Sequence, residues 1–389
     1  MCKKIMILGA SELQLPAIKK AKELGIKSIV VDYDSEAVGK KLADVFYNIS
    51  TLDYEVILSV AKKEKIDGIM TICSDRPMRI VAKVSEELKL NSISTKTALL
   101  ATNKVHMRNA LKKNNVPIPK YAICSTKSEY DAAIRNVGLP AIVKPSDNSG
   151  SRGIAFLNDE SDIEEAYIYA SKNSMENVVL VEEYMDGDEV SVEVFVTNEG
   201  VNIVQITDKI TTGAPHFVEM GHTQPSLLPF EIQNEIKKVT TMAVNAIGIK
   251  GGPAHVELKV TSTGVKIVEL GARLGGDFIA TNLVFESTGV DLVKENVLWS
   301  LNEQVEINIR QNRYAAIRYI GKLNSLMLDK ESLSLLDAFM WHRNDSHKIE
   351  SSRDRECALL ISDNSIDGLN SKLETIRYSI SAGDKECYW

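Results

Sequence analysis

The stretch GPAHVELKVTSTGVKIVELGARLGGD, residues 252–277, decides the reading of this 389-residue chain. Apolar and polar residues alternate along GPAHVELKV (252–260) and VKIVELGAR (265–273), with a Thr-Gly turn between them, the pattern of a β-hairpin. Centred on Thr263, that hairpin sets Glu257 opposite Glu269 and His255 opposite Gly271, with both carboxylates on one face. Like charges opposed across a sheet repel, by roughly 4 kcal/mol at about 4 Å and an effective dielectric near 20. A cation therefore belongs between them, and removing either charge is expected to stabilise the empty protein or hardly disturb it. Hard carboxylate oxygens without a cysteine beside them suit Mg²⁺, with Mn²⁺ as a substitute, better than zinc; Mg²⁺ ordinarily completes its octahedron with phosphates. A one-residue slip in register would instead leave the two glutamates apart and in solvent. Arg273 follows on the same side as Glu269, two pleats on, where a guanidinium can grip a phosphoryl or carboxylate group at two points. Its structural alternative is a surface ion pair with Asp277.

Working outward, AIVKPSDNSGSRGIAF (141–156) holds two short apolar runs around a small polar loop, with Lys144 at the end of the first run. Ser, Asp, Asn and Gly are ordinary turn residues. They also suit a phosphate cover, in which Ser149, Gly150, Ser151, Arg152 and Gly153 present N–H groups and charge beside Lys144. The loop leads into another apolar run rather than a helix and lacks the Walker A order, which argues against a P-loop NTPase. Further on, VVLVEEYMDGDEVSVE (178–193) turns at Asp186-Gly187. There Glu182, Glu183 and Met185 could present an adenine-binding hinge, and Glu189 could meet ribose hydroxyls. Residues 189–197 alternate strictly, with Val190, Val192, Val194 and Val196 on one face.

The N-terminus reads as β-α-β: Ile5–Leu8, a helical spacing of Ala17, Ile18, Ala21 and Leu24, then Ser28–Val31 ending at Asp32. Further alternation through Leu88 extends it into a parallel sheet covered by helices. Gly9 alone stands where a dinucleotide fingerprint needs three glycines, so Asp32 as a ribose ligand is the weaker reading. A helix carrying Lys104 follows, and Val116-Pro117-Ile118-Pro119 marks a domain junction. Length calls for two or three domains. A net charge of −7 without a Lys/Arg run argues against nucleic acid or an anionic membrane. Five scattered cysteines without C-x-x-C spacing fit reduced thiols in a cytoplasmic protein.

The order of these parts, from Lys104 through Lys144 and its loop, the Glu182–Glu189 hinge, and Glu257 with Glu269 to Arg273, resembles the ATP-grasp superfamily of carboxylate–amine ligases over essentially the whole chain. The resemblance implies an α/β and α+β multidomain protein: a Rossmann-like pre-ATP-grasp domain (1–95), a linker helix and small lid subdomain (96–188), a large ATP-grasp subdomain with the metal hairpin (189–310), and a C-terminal mixed α/β subdomain (311–389). It implies ATP and Mg²⁺ as cofactors, Lys104 and Lys144 on the phosphates, Glu257 and Glu269 on the metal, and Arg273 with Lys144 as catalytic residues. Many relatives carry asparagine two residues after the second metal glutamate; here Gly271 stands there. FVEMGHTQPSLLP (217–229), read as a substrate loop, resembles the dipeptide-forming L-amino-acid ligases, within a branch that includes carbamoyl-phosphate-synthase-like proteins. It implies Glu219 for an ammonium and His222 for a carboxylate or a proton, with His255 a further substrate candidate. Small-molecule carboxylate and amine substrates follow, with a homodimer as the expected assembly. The alternatives are a phosphoribosylglycinamide synthetase-like or carboxyaminoimidazole ribonucleotide synthetase-like enzyme, a carbamoyl-phosphate-synthase-like protein, an NAD-dependent oxidoreductase and a non-catalytic nucleotide-binding protein.

Overall fold

A computed structural model describes residues 2–148, 153–321, 330–341 and 349–381. Strands β1 (Lys4–Leu8), β2 (Lys27–Asp32), β3 (Val45–Asn48) and β4 (Gly68–Met70) form a parallel sheet in the order β3-β2-β1-β4. Ile5 to Leu8 are fully buried, as a strand covered by helices on both faces requires. Val56–Ala61 and Ile80–Leu88 belong to the covering helices Tyr54–Glu64 and Asp75–Leu88. The strand Val45–Asn48 escapes a sequence reading because it is short and only partly buried. Asp32 accepts a hydrogen bond from the Ala10 amide at 2.6 Å and fastens the turn after β1.

A second, antiparallel sheet holds β5 (Tyr121–Cys124), β6 (Ala141–Pro145), β7 (Ala155–Leu157) and β8 (Val179–Glu183) in the order β5-β8-β6-β7. Helices Lys127–Val137 and Ile163–Lys172 cover it, burying Tyr130, Ala133, Ala166 and Ala170 against Val143 and Val181.

The largest sheet contains β9 (Asp188–Thr197), β10 (Gly200–Thr211), β11 (Glu219–Gln224), β12 (Gly252–Thr261), β13 (Gly264–Gly271), β14 (Tyr314–Ile320), β15 (Ala338–Trp341) and β16 (Cys357–Asp363), in the order β13-β12-β9-β10-β11-β14-β16-β15. Its two faces differ in kind. Val190, Val192, Val194 and Val196 join Val256 and Leu258 in a core under the helix Phe230–Ile247. That helix buries Ile236, Val239, Ala243 and Ile247 at helical spacing and ends at Gly248, whose φ of 81° an L-residue would adopt only at about 1–2 kcal/mol. The other face carries Glu189, Ser191, Glu193, Thr207, Lys209, His255 and Glu257, as alternation from the paired positions demands. One expectation is overturned: Glu219–Gln224, read as part of a loop, is a strand paired with both β10 and β14. Its residues are mostly polar because they lie across the polar face, so apolar periodicity gives no signal.

The hinge between β8 and β9 brings the two antiparallel sheets together. Gly187 has φ of 141°, and a Cβ there would lie 1.9 Å from the Val260 carbonyl oxygen. Only glycine lets the turn press against β12 this closely. The small sheet thus faces the polar side of the large one, and the N-terminal domain closes a third side.

Candidate active site

The space so enclosed is a cleft of about 550 Å³. Lys104, Lys144, Glu182, Glu183, Met185, Glu189, Glu219, His255, Glu257, Glu269 and Arg273 all line it, although they come from seven separate elements and, for Met185 and Arg273, from the segments that follow β8 and β13. His222 lies just behind Glu219 and is fully buried. Ser149, Gly150, Ser151 and Arg152 lie outside the described residues. Gly153 lies beyond them with φ of 82°, packed against Pro145 and Asn173.

At one end, Asn103 caps the helix Lys104–Lys113 by accepting from the Val105 and His106 amides. This places Lys104 in the first turn, where the helix dipole disfavours a cation by roughly 0.3–1 kcal/mol. Lys104 is compensated by the Glu269 carboxylate at 2.7 Å and the Asn148 carbonyl at 2.8 Å. One turn later, on the same helix face, Arg108 makes a two-point contact with Glu182, at 2.6 and 3.0 Å. Lys144 Nζ lies 2.7 Å from the second Glu182 oxygen. Burial pushes the Glu182 carboxyl up, but Arg108 and Lys144 together outweigh it and hold the group down at about 2. The Glu182 side chain is therefore committed to two buried cations. Glu183 pairs with Lys266 at 2.6 Å, and Met185, Ile142 and Ile154 give this end apolar walls suited to a planar base.

The hairpin β12–β13 sets Glu257 opposite Glu269 and His255 opposite Gly271. The register is reached by an unexpected route. Thr261 pairs with Gly264, a tighter turn than one centred on Thr263, and Val268 bulges to restore the count. The bulged Val268 carbonyl accepts from Arg108 at 2.6 Å, tying the hairpin to the Lys104–Lys144 end of the cleft. The expected repulsion is relieved from within: Glu269 pairs with Lys104, while Glu257 lies 3.5 Å from Lys209 Nζ and 3.3 Å from His255 Nε2. Removing either carboxylate therefore breaks ion pairs as well as relieving repulsion, so no gain in stability follows from the geometry. His255 also pairs with the buried Glu193; burial disfavours its charge, yet Glu193 and Glu257 raise it to about 9. The two hairpin glutamates are a hard oxygen donor set on adjacent strands, already balanced by cations, and this chemistry fits Mg²⁺.

Arg273 does not pair with Asp277. It makes a two-point contact with Asp75, at 2.7 and 3.1 Å, from the first turn of a helix of the N-terminal domain. Space at Gly271 is taken by the same pair, since an added Cβ would meet Asp75 Oδ1 at 3.0 Å and Arg273 Nε at 3.1 Å.

At the far end Glu219, His222 and Asp277 bring one donor atom each to within 4.8 Å of one another. Asp277 is forked by Arg355 at 2.6 and 2.9 Å, and Arg355 stacks on Tyr319. Burial raises the Glu219 carboxyl to about 7 against the pull of Lys209, with Asp277 adding to the rise. His222 Nε2 is 3.8 Å from Asp277, and burial lowers its pKa, which favours neutral imidazole.

Among the residues of the site that lie outside the sequence-derived set are Asp75, Arg108, Glu193, Lys209, Asp277 and Arg355. Arg108 had a signal, its four-residue spacing from Lys104 on one helix face. Lys209 and Arg355 had none, and Asp75 showed only a Ser-Asp helix start.

Residues 137–282 match the ATP-grasp domain family. An uncharacterized protein, y4rH, of Sinorhizobium fredii is 29% identical over 257 residues, covering 64% of this chain and 51% of the relative. A formate-dependent phosphoribosylglycinamide formyltransferase of Hydrogenovibrio crunogenus is 29% identical over 224 residues, 57% of this chain and 54% of the relative. The chain spans about half the length of these two curated relatives. The crystal structure of L-amino acid ligase from Bacillus licheniformis superimposes with a TM-score of 0.81 at 21% identity, covering 97% of each chain.

Proposed function

We propose that this chain, built on the ATP-grasp fold, is an ATP- and Mg²⁺-dependent ligase that activates a carboxylate as an acyl phosphate and joins it to an amine. The observation that carries the reading is the gathering of Lys104, Lys144, Glu257, Glu269 and Arg273 in one cleft from elements far apart in sequence. Lys104 and Lys144 neutralise the nucleotide phosphates, and the exchange of Glu269 for phosphate frees Lys104 to do so. Glu257 and Glu269 hold Mg²⁺, which when bound neutralises the charge of the transferring phosphoryl group. Arg273, steadied by Asp75, steadies the oxygens of the transferred group or of the acyl product. The base lies along Ile142, Ile154 and Met185, with Glu189 toward the ribose. The amine arrives at Glu219 and Asp277, whose carboxylates bind an ammonium; Glu219, near neutrality, takes the proton that the amine loses before attack. Arg355 or His222 meets an anionic group of the same substrate.

An α-amino acid as the amine gives a dipeptide-forming ligase. The likeness to a phosphoribosylglycinamide formyltransferase supports a second reading, in which the amine belongs to a ribonucleotide. ADP release should be measured with Mg²⁺ across amino acids, small acids and glycinamide ribonucleotide, singly and in pairs. The reading expects ADP only where a carboxylate and an amine are both present. ADP release without either, or tight NADH binding with no ADP release, would overturn it.

A further inference from the structure

Lys209 stands outside the roles given above, yet it is the most enclosed cation of the cleft. Its side chain is 1% exposed, and its ammonium meets Glu189 at 2.8 Å, Glu257 at 3.5 Å and Glu219 by a shorter contact. These carboxylates come from three strands, β9, β12 and β11, and under the proposed function they serve ribose, metal and amine in turn. The position follows from the sheet. Lys209 is paired with His222 across β10 and β11, and so lies on the polar face two rungs from Glu257 and Ser191. A buried cation of this kind persists only where acidic groups surround it, since an unpaired charge at such burial is prohibitive.

Resting on the ligase reading, we propose that Lys209 is a resident counter-ion of the metal and amine subsites: it fills the centre of the Glu189–Glu219–Glu257 triad, keeps a free divalent cation out of the nucleotide-free cleft, and holds Glu257 in the orientation needed when nucleotide brings its own metal. Three carboxylates around one point form a hard-oxygen cation site in their own right. In this chain an ammonium fixed to β10 occupies that point, and Lys104 does the same for Glu269. Both proposed metal ligands are thus neutralised from within until phosphates draw Lys104 away. Lys209 is a positioning residue, acting through Glu257 and Glu219.

The test is Mn²⁺ binding, followed by the loss of the free-ion electron paramagnetic resonance signal, with and without ADP. Wild type should bind Mn²⁺ weakly alone and at least tenfold more tightly with ADP. Lys209→Met should bind Mn²⁺ at least tenfold more tightly than wild type without nucleotide, and Lys209→Arg should restore the weak wild-type value. Because Lys209→Met strands three half-buried carboxylates, the charge-balanced Lys209→Met/Glu219→Gln provides a second folded background, in which nucleotide-free Mn²⁺ binding should still exceed that of wild type. Equal nucleotide-free affinity in wild type and in whichever Met variant folds would overturn the role of Lys209. Absence of ADP-dependent Mn²⁺ binding in wild type would instead overturn the metal assignment beneath it.

Discussion

At the scale of single residues, the site is a set of charges that have already found partners. Glu182 is the clearest case, for its carboxyl is held at about 2 against an ordinary 4.5. A depressed carboxyl contributes stability that is present above pH 4.5 and is lost as pH falls through the folded value near 2. Urea unfolding at pH 7 and pH 3 should therefore show Glu182→Gln to be less stable than wild type at pH 7 and to lose less on acidification. A parallel loss in both proteins would mean that Glu182 is not the linked group. Gly271 carries the second residue-scale prediction. The family resemblance leads one to expect asparagine here, but the Asp75–Arg273 pair fills the space, with contacts of 3.0 and 3.1 Å to an added Cβ. Gly271→Asn should lower the melting temperature and leave Mn²⁺ affinity in the presence of ADP unimproved. Tighter Mn²⁺ binding at unchanged melting temperature would show that the pair yields readily.

At the scale of elements, the hairpin β12–β13 converts sequence alternation into a site, and it shows what was legible. The opposition of Glu257 and Glu269 follows from the two alternating runs, because side-chain period in a strand is fixed by the backbone. The bulge at Val268 does not, since a bulge is selected by what its carbonyl meets, here Arg108 at a separation of 160 residues. The same holds for the counter-ions: Arg108 reaches Glu182 across 74 residues and Arg273 reaches Asp75 across 198. Pairings this distant are chosen by tertiary packing: the spacing of Arg108 from Lys104 marks the residue but not its partner, and local pattern carries no trace of the pairing. β11 was missed because polar residues on a polar face lack an apolar period. The two glutamates of the hairpin are also unequal. Glu269 is a third exposed, with one ion pair, whereas Glu257 is held by both Lys209 and His255. Glu269→Gln should cut ADP formation roughly 100-fold or more, with stability of the empty protein changed by no more than about 1 kcal/mol. Glu257→Gln should match that loss of activity but cost about 1–3 kcal/mol in stability, because His255 Nε2 loses its charged partner and Lys209 loses one of its three carboxylates. Denaturant midpoints and turnover for both variants decide the matter; full turnover in Glu269→Gln at ordinary Mg²⁺ would sink the metal assignment.

At the scale of the whole molecule, the N-terminal domain is more than a neighbour of the two antiparallel sheets. One hydrophobic cluster runs from Met6, Leu8 and Ile29 of its parallel sheet to Val192, Ala254 and Val256 of the large sheet, so the two units share a core. Above that core sits the Asp75–Arg273 contact, with each side chain 16% exposed. Under the proposed function Arg273 meets a transferring phosphoryl group; a guanidinium free to rotate loses effectiveness in that role, and a two-point contact with a carboxylate fixes its plane. The domain thus supplies the orientation of Arg273 through a helix whose first residue is Asp75. Asp75→Asn keeps the shape and one acceptor but removes the charge. It should cost about 1.5–3 kcal/mol in urea unfolding, the worth of hydrogen bonds to a charged group. It should also lower kcat for ADP formation at least tenfold while leaving the KM for ATP nearly unchanged, because the contacts of Lys104 and Lys144 are untouched. A merely structural clasp between domains predicts a different split: the same loss of stability, with kcat retained. An increase in kcat would mean that Asp75 holds Arg273 away from the substrate, and the orienting role given to the N-terminal domain would have to be abandoned.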